Sequence, residues 1–248
     1  MNANKLVINP DKTHLLVMGS RKHTNTRMNV NVNASGHIIR PTVTEKLLGG
    51  QLHQSLTWNF HLRDHQSSLT NQLTSRINGL RRVGRNANFN TKLKIANGIV
   101  ISKLTYLITL WGGAQEYLLS GLQVQQLSAA RVVCGFESKF WSKRKLLSKT
   151  GWLSVRQLVF YHTVLQTYKT MMTKKPKELF QNLSSTYPYQ TRSADTGQIR
   201  QNQDFNKRCF KYRARQYFNR VPEEVRTGSI ETVKKKLKQW VKSNIQID

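Results

Sequence analysis

The spacing of apolar residues changes once along this 248-residue chain, near Trp58, and that change limits the folds the chain can adopt. Before Trp58, short apolar or alternating segments are separated by Gly and Ser turns, which is typical of short strands. After Trp58, apolar residues recur at intervals of three and four, which is typical of amphipathic helices. The sequence therefore predicts an α+β chain with a small antiparallel sheet in residues 1–55. The predicted strand segments are Thr13–Met18, Met28–Asn33 and Glu45–Leu52.

The part of the chain after Trp58 contains several candidate helices, each with an apolar line on one side. The line of the first helix ends at Val83, and that of the helix beginning at Ser154 ends at Met172. At the latter start, Ser154 and Gln157 have the spacing of a capping box. Residues 184–203 carry turn formers and few aliphatic residues, which favours a loop. The predicted helices cover about 69–83, 91–111, 116–134, 154–172, 204–220 and 230–240.

Positive charge is the strongest compositional feature. The chain has 40 Lys or Arg against 12 Asp or Glu, a formal net charge of +28. Such an excess favours a polyanionic partner or a membrane surface. Every stretch of about fifty residues is net positive, so the charge is not confined to a tail. We therefore expect it to lie on folded surfaces.

Several classes of protein are excluded by the sequence. Cys134 and Cys209 are too few for a disulfide framework and suit a reducing compartment, where we expect both to pack as small apolar residues. The longest apolar stretch, Ile99 to Ala114, is interrupted by Lys103 and two glycines, so it does not predict a membrane span. The first residues lack the pattern of a secretory signal. A soluble intracellular protein is expected.

A series of short motifs runs along the chain, each of which alone would be ordinary local structure. They are N-P-x-K-T at Asn9–Thr13; K-x-L-G at Lys46–Gly49, followed by Leu56-Thr57-Trp58; Ser102–Tyr106 with Trp111–Ala114; Gln126 with Ala129-Ala130-Arg131 and Gly135; Leu153–Arg156; Thr191-Arg192; and Phe218–Pro222 with Val225-Arg226. Their order and spacing carry more information than any one of them.

Taken in that order, the motifs resemble the reverse transcriptases of non-LTR retrotransposons, of the LINE or jockey-like kind. The resemblance extends from about Asn2 to Val241 and begins just after the catalytic aspartates of the family's palm. Leu47, Leu107 and Phe218 depart from the family pattern, where an aromatic, a Gly and a Trp are usual. The resemblance implies the end of a palm with a primer-grip hairpin in residues 1–55, a helical thumb in 56–150, and a basic helical C-terminal region in 151–248.

The resemblance also implies which residues contact nucleic acid. Lys12 matches a lysine near the phosphates of the incoming nucleotide, and Lys46, Leu48, Gly49 and Gly50 match the primer grip. A basic helix surface in the thumb would neutralise backbone phosphates. The alternative is that these arginines are a solvated face. The candidate residues after the hairpin are Arg76, Arg81, Arg82, Arg85, Lys92, Lys94, Lys103 and Arg131.

Catalytic chemistry is harder to place in this chain. Polymerisation by two metal ions needs converging carboxylates, and the five aspartates are scattered. The only adjacent acidic pair, Glu223-Glu224, follows Pro222 and predicts a helix start. His61 and His65 have the i, i+4 spacing of zinc ligands, but a polar helix start is favoured. The aromatic and basic mixture of 205–218 suits a core helix better than a base-stacking surface. The aspartates are Asp11, Asp64, Asp195, Asp204 and Asp248.

The resulting prediction is that this C-terminal portion holds an RNA template and a DNA primer without catalysis of its own. Mg²⁺ would be needed only by the intact polymerase, whose missing N-terminal region is the expected protein partner. The resemblance also implies a ribonucleoprotein of the nucleus and cytoplasm. Two alternatives stay open: a free-standing nucleic-acid-binding protein derived from such an element, and a relic without selected function.

Overall fold

The computed structural model describes residues 9–19, 30–34, 36–184 and 208–246. The chain is mixed α+β and forms two compact units, Met1–Gln72 and Leu73–Asp248. The predicted division at residues 55 and 150 stays a prediction. Most of the predicted 184–203 loop, the Thr191-Arg192 motif, Asp195, Asp204, Asp248 and the first residues of the predicted 204–220 helix lie outside the described residues.

The described residues of the first unit form three separate two-stranded pairings, in place of the one small antiparallel sheet that the sequence predicts. β1 pairs with β4 in parallel, whereas β2 with β3 and β5 with β6 are antiparallel. Apolar alternation identifies extended residues but not their partners, and a parallel partner must be reached by a longer connection. The strands are β1 (Leu15–Leu16), β2 (Val32–Ala34), β3 (His37–Ile39), β4 (Pro41–Thr42), β5 (Thr44–Leu47) and β6 (Gly50–His53).

The hairpin of β5 and β6 is the most regular part of this unit, and the sequence predicts it. Its two-residue turn is Leu48-Gly49, with φ of 47° and 82°. Positive φ at both central residues defines a type I′ turn, which matches the twist of the flanking strands. Gly49 adopts this conformation without cost, but Leu48 does not. The Leu48 side chain is nevertheless 80% exposed, so no burial offsets its backbone strain.

Replacing Leu48 with Asn is expected to stabilise the hairpin by about 1 kcal/mol, because Asn tolerates the left-handed conformation and the exposed leucine loses little packing. Slower hydrogen exchange of the β5 and β6 amides would measure the gain. Leu48→Ala is the control, since alanine keeps the same backbone penalty as leucine. A gain as large with alanine as with asparagine would contradict the explanation by backbone strain.

The remainder of the described chain is mostly helical. Two short 3-10 turns, Pro10–Lys12 and Phe136–Phe140, and two π turns, Phe60–Asp64 and Asn97–Ile101, accompany the α-helices. Among the described residues, no helix has the length and apolar character needed to cross a bilayer. The α-helices are α1 (Leu69–Val83), α2 (Phe89–Ala96), α3 (Ser102–Thr105), α4 (Ile108–Trp111), α5 (Glu116–Cys134), α6 (Lys143–Thr150), α7 (Val155–Thr173), α8 (Lys177–Ser184), α9 (Phe210–Arg220), α10 (Glu223–Arg226) and α11 (Ile230–Asn244).

Several predicted helices are confirmed with their boundaries. α1 and α5 begin and end where the apolar periodicity begins and ends. The capping box at the start of α7 is present: the Ser154 hydroxyl accepts a hydrogen bond from Gln157 N, and the Gln157 side chain accepts one from Ser154 N. Glu223 and Glu224 lie in the first turn of α10, directly after Pro222.

The predicted helix over 91–111 is wrong, because the structure interrupts it twice. A π turn follows α2, and the chain then breaks at Leu107, whose φ is 57°. The Trp111 indole nitrogen donates to the carbonyl of Tyr106 across this break, at 2.9 Å. Leu104, Ile108 and Trp111 all remain buried, so the apolar spacing continues through the interruption and conceals it. Leu107 is also a position where the resembling family usually has Gly, which favours positive φ.

Four individual predictions are also wrong. Val83 and Met172, which end apolar lines, are 71% and 61% exposed because each lies at the fraying end of its helix. Cys209 is exposed and precedes α9 rather than packing within it. The predicted helix over 204–220 includes Arg208 and Cys209, yet α9 begins only at Phe210.

The core of the second unit forms around α7, which packs against α4, α5, α9 and α11. The ring of Phe160 on α7 stacks on Tyr217 of α9, with centroids 4.8 Å apart, and on Trp240 of α11, at 5.8 Å. Val164 of α7 and Leu237 of α11 are almost fully buried. These contacts attach the C-terminal helices to the rest of the unit by apolar burial.

The Trp111-Gly112-Gly113 motif forms part of this core. A Cβ atom on Gly113 would lie 2.0 Å from the carbonyl oxygen of Arg208. That oxygen is held by the guanidinium of Arg213, whose Nε donates to it at 3.1 Å. Arg213 is 4% exposed and also donates to Thr109 O, at 2.8 Å, near the end of α4. Glycine is therefore required for the close approach of the two segments.

Candidate nucleic-acid interface

A groove of about 410 Å³ in the second unit carries the highest concentration of predicted site residues. Four of them, Arg81, Arg85, Lys92 and Arg131, line it together with Lys139. None of the described residues that line it is acidic. Five cations around one concave surface create a positive field that attracts phosphate groups. The other lining residues are Gly84, Ser128, Val132, Gly135, Phe136 and Ser138.

Hydrogen bonds position the guanidinium of Arg81 on one wall. Its Nη1 donates to Asn78 Oδ1 at 2.8 Å, one turn earlier on α1, and its Nη2 donates to Ser128 Oγ on α5 at 3.1 Å. Both acceptors are neutral, so the charge of the arginine is not cancelled. Arg81 is exposed, and its positive charge therefore faces solvent and any ligand in the groove.

The turn that follows the C-terminal end of α1 carries Arg85, and the start of α2 carries Lys92. Gly84 N donates to Leu80 O at 2.8 Å, and a Cβ on Gly84 would lie 3.4 Å from Cγ of Lys92. The same Cβ would lie 2.6 Å from Leu80 O, so a side chain here would clash with the end of α1. Asn88 caps α2, with its Oδ1 accepting from Thr91 N at 2.9 Å. The cap fixes the helix that carries Lys92.

A rigid turn closes the groove after α5. Gly135 has φ of 84°, and Ser138 is fully buried. The Ser138 hydroxyl donates to Gly135 O at 2.6 Å, and Ser138 N donates to the same oxygen at 3.1 Å. The buried serine holds the 3-10 turn, and the phenylalanines at its two ends, Phe136 and Phe140, are 90% and 89% exposed.

A second basic surface follows along the chain on α6. It is lined by Trp141, Ser142, Arg144, Lys145, Ser148 and Lys149. The ammonium of Lys145 lies 4.3 Å from the ring centroid of Trp141, and that of Lys149 lies 5.6 Å from the ring of Phe89. These cation–π pairs keep lysine charges next to aromatic faces at the surface.

The other predicted residues of this unit lie outside the groove. Arg76 is half-buried, and its Nη1 donates to Ile99 O at 2.8 Å, so it supports the π turn after α2. Arg82 and Lys94 are exposed but do not line the groove. Lys103 lies with its ammonium 5.6 Å from the ring centroid of Tyr106. Helical spacing placed these residues off the apolar line without showing which of them share a surface.

The predicted residues of the first unit are at two places. Lys12 is exposed at the end of the short turn Pro10–Lys12. Lys46 and Leu48 are exposed on the β5–β6 hairpin, while Gly50 is buried and pairs with Leu47. Next to it, Gln51 N donates to Nδ1 of the buried His61 at 3.3 Å. The hairpin thus has an exposed tip and a base fixed by hydrogen bonds.

Other motif residues have structural contacts. Arg156 forms an ion pair with Glu116, at 2.7 Å, and the guanidinium of Arg226 lies 4.7 Å from the ring of Phe218. Gln126 is fully buried and donates to Leu153 O at 2.8 Å. These three motif positions maintain the fold of the second unit, whereas Arg131 and Gly135, from the same motif as Gln126, line the groove.

Catalytic groups are not gathered near the groove in the part of the chain that the structure describes. Three or more His, Cys, Asp or Glu side chains do not come together anywhere in those residues to hold a metal ion. His65 contacts Ser67, with Nδ1 and Oγ 2.8 Å apart. Burial raises the pKa of the Cys134 thiol, although the nearby charge of Lys149 acts in the opposite direction. The raised pKa favours the neutral thiol over a reactive thiolate.

Phe136 and Lys139 are among the groove residues that are absent from the sequence-based prediction. A signal for them exists, since Gly-Phe-Glu-Ser-Lys-Phe-Trp at 135–141 mixes aromatic and basic residues between two helices. Because this segment does not belong to the apolar stripe of a helix, some of its aromatic side chains are expected to be exposed. In the other aromatic and basic segment, 205–218, where the sequence favours a core helix, Tyr217 stacks on the core residue Phe160.

Comparison with known proteins adds no identification: no family model, no curated protein and no solved structure matches this chain. The resemblance to reverse transcriptases therefore rests on the sequence motifs, and the function must be argued from the chain's own residues.

Proposed function

We propose that this chain is a nucleic-acid-binding portion of a non-LTR retrotransposon reverse transcriptase, and that it holds an RNA–DNA hybrid through the basic groove. The observation that supports this most is the convergence of Arg81, Arg85, Lys92 and Arg131 with Lys139 around one surface without an acidic residue. The motif order supports the family, and the groove supports the polyanionic ligand.

The chemistry of the groove suits a phosphate backbone. Arginine guanidinium groups can donate two parallel hydrogen bonds to one phosphate, and lysine acts as a flexible point charge. Three of the five cations are arginines, and Arg81 is held in place by neutral partners. Contacts of this kind fix the register of the nucleic acid but carry no base specificity. We therefore expect affinity for hybrids of any sequence.

The proposal assigns no metal-dependent step to this chain. The resemblance implies Mg²⁺ for the intact polymerase, where carboxylates would hold the ions. The carboxylates of the described residues do not fit that task, because they are not grouped in threes with each other or with His and Cys. Binding is therefore the property to test.

Replacing Arg81, Arg85, Lys92 and Arg131 with Gln is expected to weaken binding of a labelled RNA–DNA hybrid and to flatten its salt dependence. Each lost phosphate contact lowers the slope of log K against log salt by about 0.9, so the expected decrease is about 3 to 4. Fluorescence anisotropy between about 50 and 200 mM salt measures it. Arg76 is left unchanged because its hydrogen bond to Ile99 O is structural.

A variant with the same loss of charge elsewhere is the matched control. Arg220, Lys235, Lys238 and Lys242 are all exposed, and their replacement by Gln removes four positive charges from α9 and α11. The control is expected to keep most of the slope. An equal decrease in both variants would show that net charge rather than the groove determines binding, and an unchanged slope in the groove variant would remove the groove from the interface.

A further inference from the structure

We propose that Phe136 and Phe140 form a stacking surface for unpaired bases, so that the groove receives a single strand of nucleic acid next to the hybrid. This inference rests on the proposed function, which supplies the polyanionic ligand, and adds that some bases of that ligand are unpaired. It comes from the aromatic side chains on the turn after α5, which the hybrid-binding proposal does not use.

The exposure of the two rings is the first step of the argument. Phe136 is 90% exposed and Phe140 is 89% exposed. Burying a phenylalanine side chain lowers the free energy substantially, so two exposed rings forgo that stabilisation. They are the two most exposed of the large hydrophobic residues that the structure describes. They are also only four residues apart on one turn. Scattered exposed apolar residues are ordinary, but two such exposed rings on one short turn are not scattered.

The rigidity of the turn is the second step. Buried Ser138, between the rings, binds Gly135 O through both its hydroxyl and its backbone nitrogen, and its own carbonyl accepts from Trp141 N at 3.1 Å. The backbone that carries the rings is therefore fixed before any ligand arrives. A ligand that stacks on the rings does not have to order that backbone, which lowers the entropic cost of binding.

The charge around the rings decides what the occupant is. Phe136 lines the groove with the arginines and lysines, and the ammonium of Lys139 lies 5.5 Å from the ring centroid of Phe140. Exposed Glu137 on the same turn is a single negative charge among these cations. An apolar protein surface would have to desolvate these cations without replacing their hydration. A single nucleic-acid strand suits both the cations and the rings, because its phosphates neutralise the cations and its bases expose flat faces that can stack on the rings. In a duplex the base faces are already stacked on each other and cannot cover the rings.

Binding of three labelled ligands to the whole chain tests the proposal. They are a blunt RNA–DNA hybrid, the same hybrid with an eight-nucleotide overhang, and the same hybrid with an overhang of equal length built from abasic units. The abasic overhang keeps the phosphates and lacks the bases. We expect the base-bearing overhang to bind about five- to tenfold more tightly than the abasic one, in both RNA and DNA overhangs.

The double variant Phe136→Leu, Phe140→Leu should remove the difference between the base-bearing and abasic overhangs and leave the blunt hybrid unaffected. Both residues are exposed, so the fold should be kept, and Phe136→Tyr, Phe140→Tyr should restore the difference because tyrosine also stacks. Tyr117→Leu, which removes a half-exposed aromatic from α5, is the matched control and should change none of the three affinities.

The outcomes separate this proposal from the proposed function. Equal affinity of the wild-type chain for base-bearing and abasic overhangs, or an undiminished difference in the leucine variant, would overturn the stacking surface while leaving hybrid binding intact. Failure to bind the blunt hybrid, with tight binding of the base-bearing overhang ligand and weak binding of the abasic one, would overturn hybrid binding and support the stacking surface. Absence of binding to every ligand would overturn both.

Discussion

Replacing Gly113 with Ala is expected to lower the unfolding free energy of this chain by about 3 kcal/mol, although the change adds one methyl group. The new Cβ would lie 2.0 Å from the carbonyl oxygen of Arg208, a backbone atom that cannot rotate away. To relieve the overlap, the segment before α9 must move away from α4. That movement breaks the hydrogen bonds of Arg213 to Arg208 O and Thr109 O and leaves a buried guanidinium with fewer partners.

Gly121→Ala is the matched control for this experiment. Gly121 is exposed in α5, and nothing lies within 4 Å of the position of its Cβ. Alanine there should raise the unfolding free energy by about 0.5 to 1 kcal/mol, because it favours the helix. Urea denaturation followed by circular dichroism measures both variants. Equal stability of Gly113→Ala and the wild-type chain would show that the two segments do not meet as described.

A double-mutant cycle identifies the cause of the Gly113 effect. If Gly113→Ala acts by displacing Arg208 from Arg213, then Arg213→Met and Gly113→Ala break the same contact, and their effects should be far from additive. Burial lowers the pKa of Arg213, because desolvation disfavours its charged form. Additive effects would mean that Gly113 and Arg213 stabilise different parts of the unit.

The helices of the second unit were largely predictable, and their interruptions were not. Periodicity locates α1 and α5 because burial of one helix face depends only on spacing. The break at Leu107 keeps Leu104, Ile108 and Trp111 buried, so the pattern is the same with or without it. A single residue with positive φ leaves no mark on apolar spacing unless it is Gly or Asn.

The residue types of the groove were predictable from the sequence, but which individual basic residues line it was not. The sequence indicated that Arg81, Arg85 and Lys92 face away from the apolar lines, and the motif containing Gln126 singled out Arg131. Their convergence depends on the contacts of α1 and α2 with α5, which join distant residues such as Arg81 and Ser128, 47 positions apart. The same packing turns Arg76 toward Ile99 O and away from a ligand. Local spacing carries no information about such long-range contacts.

A second large effect is expected at Gln126, where replacement by Leu should lower the unfolding free energy by about 3 kcal/mol. Leucine has a similar volume, so the loss comes from hydrogen bonds. Gln126 Nε2 donates to Leu153 O at 2.8 Å, and its Oε1 accepts from Gln123 Nε2 at 2.9 Å. Without them a buried carbonyl and a buried amide lose their partners, at about 1 to 3 kcal/mol each.

The loss should spread to the start of α7. Gln123 Oε1 accepts from Val155 N at 2.9 Å, and Gln157, one turn later, donates to Ile245 O at 2.8 Å. The two glutamines of α5 therefore hold the segment from which α7 begins, and α7 carries the core contacts of the C-terminal helices. Faster hydrogen exchange of the Val155 amide in Gln126→Leu, beyond that expected from the lower global stability, would measure this local loosening.

Gln125→Leu is the matched control, since it changes the adjacent residue in the same way. Gln125 Oε1 accepts from Thr74 Oγ1 at 3.3 Å in an exposed position, where water can replace the bond, so we expect a loss below about 1 kcal/mol. Equal losses at positions 125 and 126 would contradict the buried network. A large loss at 126 alone would show that this motif glutamine stabilises the fold through its buried hydrogen bonds.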